Sequence, residues 1–376
     1  MTQGVTSSFQ WLPTGEAAFA ALLEAIEAAR ASVRLETYIY ADDPVGQEVR
    51  TALVEAQARG VRVQVLVDAF GSIYLPESFW EPLTALGGQF RWFNPLSLKR
   101  WSYRDHRKLL VCDETVAFIG GFNISQEYQG DGVTRGWRDL GLQIQGPLAA
   151  ELAETFDVFF ARADFRHKRF QRLRRAPTAS TEGHNWQLLL SGPGRRQAKL
   201  KRALAQDLAR AQSVKIVTAY FLPTWRLRQE LRRIGRRGGQ VQLILAGKSD
   251  VPLARLASRR LYRSFMRAGV EIYEYLPQVL HAKMIIIDDI VYAGSANLDT
   301  RSLQINYELL VRIADPHLAA EARALFERDL ARCRRIGRRA WRKTRTFCNR
   351  LKEQWAYYVL ARLDLYVARR QLKMLR

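Results

Sequence analysis

The stretch His106-Arg-Lys108-Leu-Leu-Val-Cys-Asp113, followed by Gly120-Gly121-Phe-Asn123, occurs a second time as His281-Ala-Lys283-Met-Ile-Ile-Ile-Asp288 with Gly294-Ser295-Ala-Asn297. A single His-x-Lys-x4-Asp pattern is a weak signal. Two copies are not, because each carries an apolar run between Lys and Asp, a second apolar run after the Asp, and a Gly-x-x-Asn close behind. A chain with this repeat is constrained to fold the same way twice.

Each copy reads as a β-hairpin. The runs at 109–112 and 284–287 predict buried strands, and Asp113-Glu114 and Asp288-Asp289 predict tight turns into a second strand. Residues two apart on a strand share a face, so His106 points with Lys108 and His281 with Lys283. Asp113 and Asp288 complete the two catalytic motifs but stand an odd number of residues further on, at the strand ends. Their expected role is support.

The surroundings repeat as well. Residues 15–31 predict an amphipathic helix leading to a strand that ends at Leu35-Glu-Thr-Tyr-Ile-Tyr40. A helix over 45–59 is stopped by Gly60, and 61–67 reads as a β-branched strand. The second half gives a helix near 196–212, a strand over 214–219, a helix ending at Arg237-Gly238 and a strand over 241–245. From Arg59 to Arg237 the offset is 178, and from His106 to His281 it is 175. The sequence therefore divides into a first lobe over 1–176, a second over 177–314, and a basic amphipathic helical tail over 315–376 that Asp315-Pro316 opens as N-cap and first-turn proline. A linker is expected at 176–183, preceded by a basic cluster from Arg166 to Arg175. His167, His184 and His317 lack the His-x-Lys setting and are taken as non-catalytic.

Charge limits the partners. Lys and Arg number 59 against 37 Asp and Glu, a formal net charge of +22. Such a balance calls for an anionic partner, nucleic acid or an acidic membrane surface. The tail carries Phe347, Leu351, Trp355, Val359, Leu363 and Tyr366 at helical spacing among many arginines, which favours the bilayer interface over packing on the lobes. Cys112, Cys333 and Cys348 form neither a disulfide framework nor a zinc site, and a reducing compartment fits. No signal peptide and no membrane-spanning run is expected.

The chemistry follows from the paired side chains. One histidine can attack phosphorus while the other, protonated, serves the leaving oxygen. Lysine suits a nonbridging phosphate oxygen, glycine lets backbone approach, and an Asn amide can donate to the same oxygens. A lysine cation beside each histidine disfavours a divalent metal, so no metal or cofactor is expected. Neither half holds two His-Lys pairs, which places the site where the lobes meet.

These motifs resemble the phospholipase D superfamily, defined by two His-Lys-Asp motifs. Further stretches are similar to bacterial cardiolipin synthases of the short form without transmembrane helices: Glu36-Thr-Tyr-Ile-Tyr40, Val67-Asp68-Ala-Phe-Gly71-Ser72, Arg135-Gly-Trp137-Arg138-Asp139, Ala219-Tyr-Phe-Leu-Pro223 and Asn306-Tyr307-Glu308. The resemblance implies an α/β fold of two similar α/β/α lobes related by internal duplication, with the active site at their interface. It implies transfer of a phosphatidyl group through a phosphohistidine, making cardiolipin from phosphatidylglycerol, with phosphatidylethanolamine as a possible second substrate. His106 is expected as nucleophile and His281 as acid and base. Lys108, Lys283, Asn123, Asn297, Gly121 and Ser295 would hold the phosphate, and Asp139 and Glu308 would orient the histidines. The chain departs from the usual Gly-Ser at Gly120-Gly121, and has five residues between Asp288 and Gly294 where the first copy has six. Hydrolysis to a free phospholipid acid and phosphodiester nuclease activity are the rival functions. The aromatic tail and the synthase-like stretches weigh against nucleic acid and place the protein peripherally on the cytoplasmic face of the cell membrane.

Overall fold

The computed structural model describes residues 6–95, 101–163, 185–193, 197–343 and 345–374. The expected linker, the basic cluster before it, His167 and His184 lie outside the described residues. Cys112, Cys333 and Cys348 are unpaired thiols.

The first lobe runs β1 (Ser8–Leu12), α1 (Gly15–Ala28), β2 (Ser32–Thr37), α2 (Pro44–Ala58), β3 (Arg62–Asp68), α3 (Glu81–Ala85), β4 (Gln89–Phe93), β5 (Leu109–Cys112), β6 (Val116–Gly120), β7 (Gly141–Gln145) and α4 (Pro147–Phe160). The second lobe runs β8 (Trp186–Ser191), α5 (Gln197–Arg210), β9 (Ser213–Thr218), α6 (Trp225–Arg236), β10 (Gln240–Lys248), α7 (Pro252–Arg267), β11 (Glu271–Val279), β12 (Met284–Ile287), β13 (Ile290–Gly294), α8 (Thr300–Gln304), β14 (Glu308–Ala314) and α9 (Pro316–Leu330), the same order with α8 added. Then follow β15 (Cys333–Arg335), α10 (Arg338–Lys343), α11 (Phe347–Tyr358), a π-helical turn (Val359–Leu363) and α12 (Asp364–Met374).

The duplication is topological as well as sequential. One sheet has the order β4-β3-β2-β5-β6-β7-β1 and the other β15-β11-β10-β9-β12-β13-β14-β8, the same path with β15 added at one edge. In both, three strands are parallel and the motif strand joins them antiparallel, as β5 on β2 and β12 on β9. The edge strands β1 and β8 were not legible as strands. Gly60 and Gly238 end α2 and α6 with φ of +90° and +89°, a backbone turn that glycine makes without a Cβ penalty.

The motif strands are apolar throughout because both faces are buried. Leu109 and Val111 face a core shared by the lobes, whereas Leu110 and Cys112 face α1 and α2. Met284 and Ile286 join the same shared core, and Ile285 and Ile287 turn to the outer helices of the second lobe. Between the two sheets lie α4 and α9, which fill the shared core with Leu152, Phe156 and Phe159 from one and Leu318, Ala322 and Phe326 from the other.

That placement corrects the tail boundary. Asp315 does cap a helix that begins at Pro316, its carboxylate accepting from the His317 and Leu318 N–H groups. The helix is the counterpart of α4, however, and belongs to the second lobe, as does β15, which pairs with β11. The tail proper begins near Arg338. It docks on the second lobe through Trp341 and Ala356, which stand outside the expected stripe.

Asp113 and Asp288 terminate the hairpin strands a full strand length from the histidines. Asp113 accepts from the N–H groups of Arg30, Ala31 and Ser32 at 2.8–2.9 Å, and Asp288 from those of Gln212 and Ser213 at 3.1 and 2.8 Å. Each ties the motif hairpin to the start of the neighbouring parallel strand. Burial pushes the Asp113 carboxyl up, but the Ser32, Arg30 and Ala31 N–H groups outweigh it and hold it below its ordinary value. The stability it contributes is therefore present above about pH 4 and lost as pH falls through the lowered folded-state value. Asp113→Ala is expected to cost roughly 1–3 kcal/mol in denaturant unfolding, with turnover of the folded fraction retained. A loss of turnover at unchanged stability would move Asp113 into the chemistry.

Candidate active site

Each histidine is held by the opposite lobe. The His106 N–H donates to the Tyr307 carbonyl at 2.9 Å, and the Tyr307 N–H returns a bond to the Arg104 carbonyl at 2.9 Å. On the other side the His281 N–H donates to the Arg138 carbonyl at 2.8 Å, and the Arg138 N–H to the Val279 carbonyl at 2.8 Å. These are two short parallel bridges, Asp105 with Tyr307 and Arg138 with Leu280, related by the duplication. The two motifs are thereby sewn together along one seam.

Carboxylates cross the seam in the same way. Glu308 Oε2 of the second lobe lies 3.1 Å from His106 Nδ1, and Asp139 Oδ2 of the first lies 2.6 Å from His281 Nδ1. A carboxylate at Nδ1 makes that nitrogen the donor and leaves Nε2 for chemistry. Lys108 Nζ donates to the His106 carbonyl at 2.8 Å. Lys283 Nζ bonds the His281 carbonyl and sits 2.7 and 3.0 Å from the two ring nitrogens. All six side chains are buried.

Gly121 and Ser295 occupy equivalent places and manage the carboxylates. A Cβ on Gly121 would lie 2.0 Å from Asp139 Oδ1, so only glycine admits this carboxylate. Ser295 instead donates its hydroxyl to Glu308 Oε2 at 2.5 Å. The departure from Gly-Ser in the first copy is thus matched by the site it faces. The structure sets both residues against the carboxylates, where phosphate contact was expected of them.

Asn123 and Asn297 are fixed by their oxygens. Asn123 Oδ1 accepts from the Ile39 N–H at 3.1 Å, with its amide nitrogen donating to the Tyr128 hydroxyl at 2.6 Å, and Asn297 Oδ1 accepts from the Thr218 hydroxyl at 3.3 Å. The missing residue in the second hairpin does not displace Asn297. Cys112 pairs with Val116 across a three-residue turn and Ile287 with Ile290 across a two-residue one, so the difference is absorbed at the far end.

Electrostatics separate the two halves. Burial first, then Lys108, Lys283 and His281, push His106 well below its ordinary pKa. Burial and Lys283 lower His281 too, but there Asp139 works in the opposite sense. Asp139 stays below the usual carboxyl range because Lys283 and His281 outweigh its burial. Glu308 is pushed up to about 7 by burial, and Lys108 down to about 7, again by burial. His106 is therefore the more strictly neutral imidazole, and His281 has the firmer anion behind it.

Arg104 and Arg107 flank His106 in sequence but are not among the charges that shift it. Arg104 pairs with Asp68 at 3.2 Å and Arg107 with Glu36 at 3.1 Å, both buried. The charges bearing on His106 are the two lysines. Sequence reasoning also missed the roles of Arg138 and Tyr307 as seam partners and of Asp68, which accepts from the Asp105 N–H at 2.8 Å. It missed the ring walls, Tyr38 on His106 and Tyr128 with Trp137 on His281. Most stand in the stretches quoted above, but only topology shows what they touch. His317 is exposed on α9, away from this site. Among the described residues no group of three or more His, Cys, Asp or Glu side chains is placed to hold a metal ion.

Two crossed histidine-carboxylate pairs, each with a lysine two residues on, at the seam of a duplicated α/β fold define the phospholipase D superfamily. Within it, the family described as cardiolipin synthase, PLD-like domain, matches residues 22–162 and 204–330, and the chain belongs to this family. Cardiolipin synthase B of Shigella flexneri is 32% identical over 364 residues, covering 94% of this chain and 88% of the relative. Cardiolipin synthase B of Escherichia coli K12 is 31% identical with the same coverage. Cardiolipin synthase A of Pseudomonas aeruginosa is 35% identical over 329 residues, 85% of this chain and 66% of that protein. The crystal structure of phosphatidylserine synthase from Haemophilus influenzae superposes with a TM-score of 0.75 over 96% of this chain and 94% of that one. At 15% identity that likeness is one of fold alone.

Two measurements test the geometry. Affinity for a soluble phosphodiester, whose single negative charge is constant with pH, is expected to fall as pH rises through about 7, because Lys108 loses its proton and Glu308 loses its own over the same range. Gly121→Ala is expected to displace Asp139, lower activity on the order of 10–100-fold, and move the pH-rate limb of His281 to lower pH, since its supporting anion is withdrawn. A flat affinity profile, or an unmoved limb, would contradict the assigned environments.

Proposed function

We propose that the protein is a phosphatidyltransferase that makes cardiolipin from phosphatidylglycerol through a phosphohistidine. What carries the reading is the crossed arrangement, in which a neutral imidazole and a carboxylate-backed imidazole share one buried, lysine-lined seam. The names of the relatives supply the substrate class.

His106 Nε2 attacks the donor phosphorus while Glu308 takes the Nδ1–H bond. The bond from phosphorus to the glycerol headgroup oxygen breaks, and that oxygen takes the Nε2 proton of His281, whose cation Asp139 stabilises. Free glycerol leaves and the phosphatidyl group remains on His106. A headgroup hydroxyl of a second phosphatidylglycerol then gives its proton to His281, its oxygen attacks phosphorus, and the nitrogen-phosphorus bond breaks to release cardiolipin. Lys108 and Lys283 bear the charge on the nonbridging oxygens in both steps, with Asn123 and Asn297 beside them. Water in place of the second lipid gives phosphatidic acid from the same intermediate.

The substrates place the enzyme peripherally at the membrane, on the cytoplasmic face in keeping with three unpaired thiols. No helix of the described residues is long and apolar enough to cross a bilayer.

Purified protein with phosphatidylglycerol vesicles is expected to yield cardiolipin and glycerol by lipid mass spectrometry, with activity retained in chelator. Cleavage of single-stranded DNA with lipid unchanged would overturn this. His106→Ala is expected to lose about 10²–10⁴-fold in rate and all acid-labile phosphoenzyme, whereas His281→Ala still traps label from a donor with a good leaving group. The reverse pattern would exchange the two roles.

A further inference from the structure

The C-terminal helices have two different faces. Inward, Glu353 and Ala356 of α11 and Ala368 of α12 are buried, Arg228 donates to the Tyr357 hydroxyl at 3.0 Å, and Arg260 to Gln354 at 2.6 Å. Outward, Phe347, Leu351, Trp355, Tyr358, Leu363 and Tyr366 form a stripe, with Phe347, Trp355 and Tyr366 exposed at 72, 62 and 62%. Along it the spacing is four, four, three, five and three. A step of five is one residue too many for an α-helix, and the π-helical turn at Val359–Leu363 takes it up, so the stripe continues from α11 onto α12. Val359, expected on the stripe, is partly buried instead.

Charge gathers at the same edge. Arg263 and Arg267 of α7 and Arg342 and Arg350 of the tail are exposed, and the Arg263 guanidinium is pushed below its ordinary value by Arg267, by desolvation, and then by Arg342, Arg350 and Arg345. Cations that repel one another in this way would be stabilised by a surface of anions. Nucleic acid offers anions but nothing to bury a row of aliphatic and aromatic side chains at helical spacing, and an anionic bilayer offers both.

We propose that the outer face of α11 and α12, with the arginines of α7 and α10 at its edge, is a docking surface for an anionic lipid bilayer and fixes which way the interlobal site faces it. The orientation is fixed because α12 is pinned to the site by hydrogen bonds and an ion pair. The Tyr103 hydroxyl donates to the Ala368 carbonyl, the Ser102 N–H to Gln371 Oε1 at 3.2 Å, and Arg301 bonds both Asp364 at 2.7 Å and the Ser102 carbonyl at 2.8 Å. Ser102 and Tyr103 lead into His106, and Arg301 lies on the segment leading into Glu308. The proposal rests on the lipid reading for its occupant, but binding needs no turnover and is measured without it.

The test is sedimentation with vesicles of phosphatidylglycerol in phosphatidylcholine, and with phosphatidylcholine alone, on the full chain carrying His106→Ala. The parent is expected to bind the anionic vesicles only, and less well in high salt. Combined Phe347→Ser, Trp355→Ser and Tyr366→Ser are expected to weaken binding on the order of 10-fold, and combined Arg263→Gln, Arg267→Gln, Arg342→Gln and Arg350→Gln on the order of 100-fold or more. Both sets lie on exposed positions, and an unchanged thermal midpoint confirms folding. If the aromatic set is unstable, the arginine set decides alone. Binding equal to the parent in the folded variants, or failure of the parent to bind, overturns the surface. Retained vesicle binding with loss of binding to a single-stranded oligonucleotide also overturns it, and assigns the face to nucleic acid.

Discussion

Two lysines, two histidines and two acids are buried together in one seam, and the remainder of the structure serves to make that tolerable. An isolated buried charge costs several kcal/mol, and a pair repays this only with good geometry and with its remaining hydrogen bonds met. Here the geometry is supplied across the seam. Glu308 reaches His106 and Asp139 reaches His281 from opposite lobes, and the backbone of Tyr307 and Arg138 fixes both motifs in register. Even so, both lysines sit below their ordinary pKa, and Glu308 above its own. Burial is the largest cause in each case, and on the proposed reading the phosphodiester brings an anion to the two lysines.

Crossing has a consequence for the duplication. Neither lobe holds both a histidine and the acid that poises it, so one lobe alone has no working half-site. The seam is held by more than the site: Arg138 reaches Asp329 on α9 at 2.8 Å, and α4 and α9 fill the core between the sheets. Within this near symmetry, small differences divide the labour. A shorter acid against Gly121 stays ionised beside His281, and a longer one bonded to Ser295 shares its proton range with Lys108 beside His106.

Much of this is legible in the amino-acid sequence. The duplicated motif, the hairpins, the alternation that aims His with Lys, and the strands after Gly60 and Gly238 all follow from local periodicity. Local pattern also separated Asp113 and Asp288 from the reacting groups. What it could not give was partners across the seam. Arg104 and Arg107 stand beside His106 and Lys108 in sequence, yet they pair with Asp68 and Glu36. Likewise 316–330 reads as the start of a basic tail, since its amphipathic pattern does not reveal that its apolar side faces a core shared by two lobes.

The tail shows the same limit and resolves it. A stripe at helical spacing could have been a docked face or a free one, and the helices have both, because apolar residues stand on two sides, Ala356, Leu360 and Ala368 inward and the stripe outward. The docked side spans the seam: α12 meets Ser102 and Tyr103 of the first lobe and, through Asp364, Arg301 of the second. Hydrogen bonds at both ends of this contact hold the segments that carry His106 and Glu308, so the tail braces that pair. A helix braced in this way cannot tilt independently of the site. Whatever its outer face binds is therefore held at a fixed height and angle relative to His106, which matters more for a substrate confined to a plane than for one free in solution.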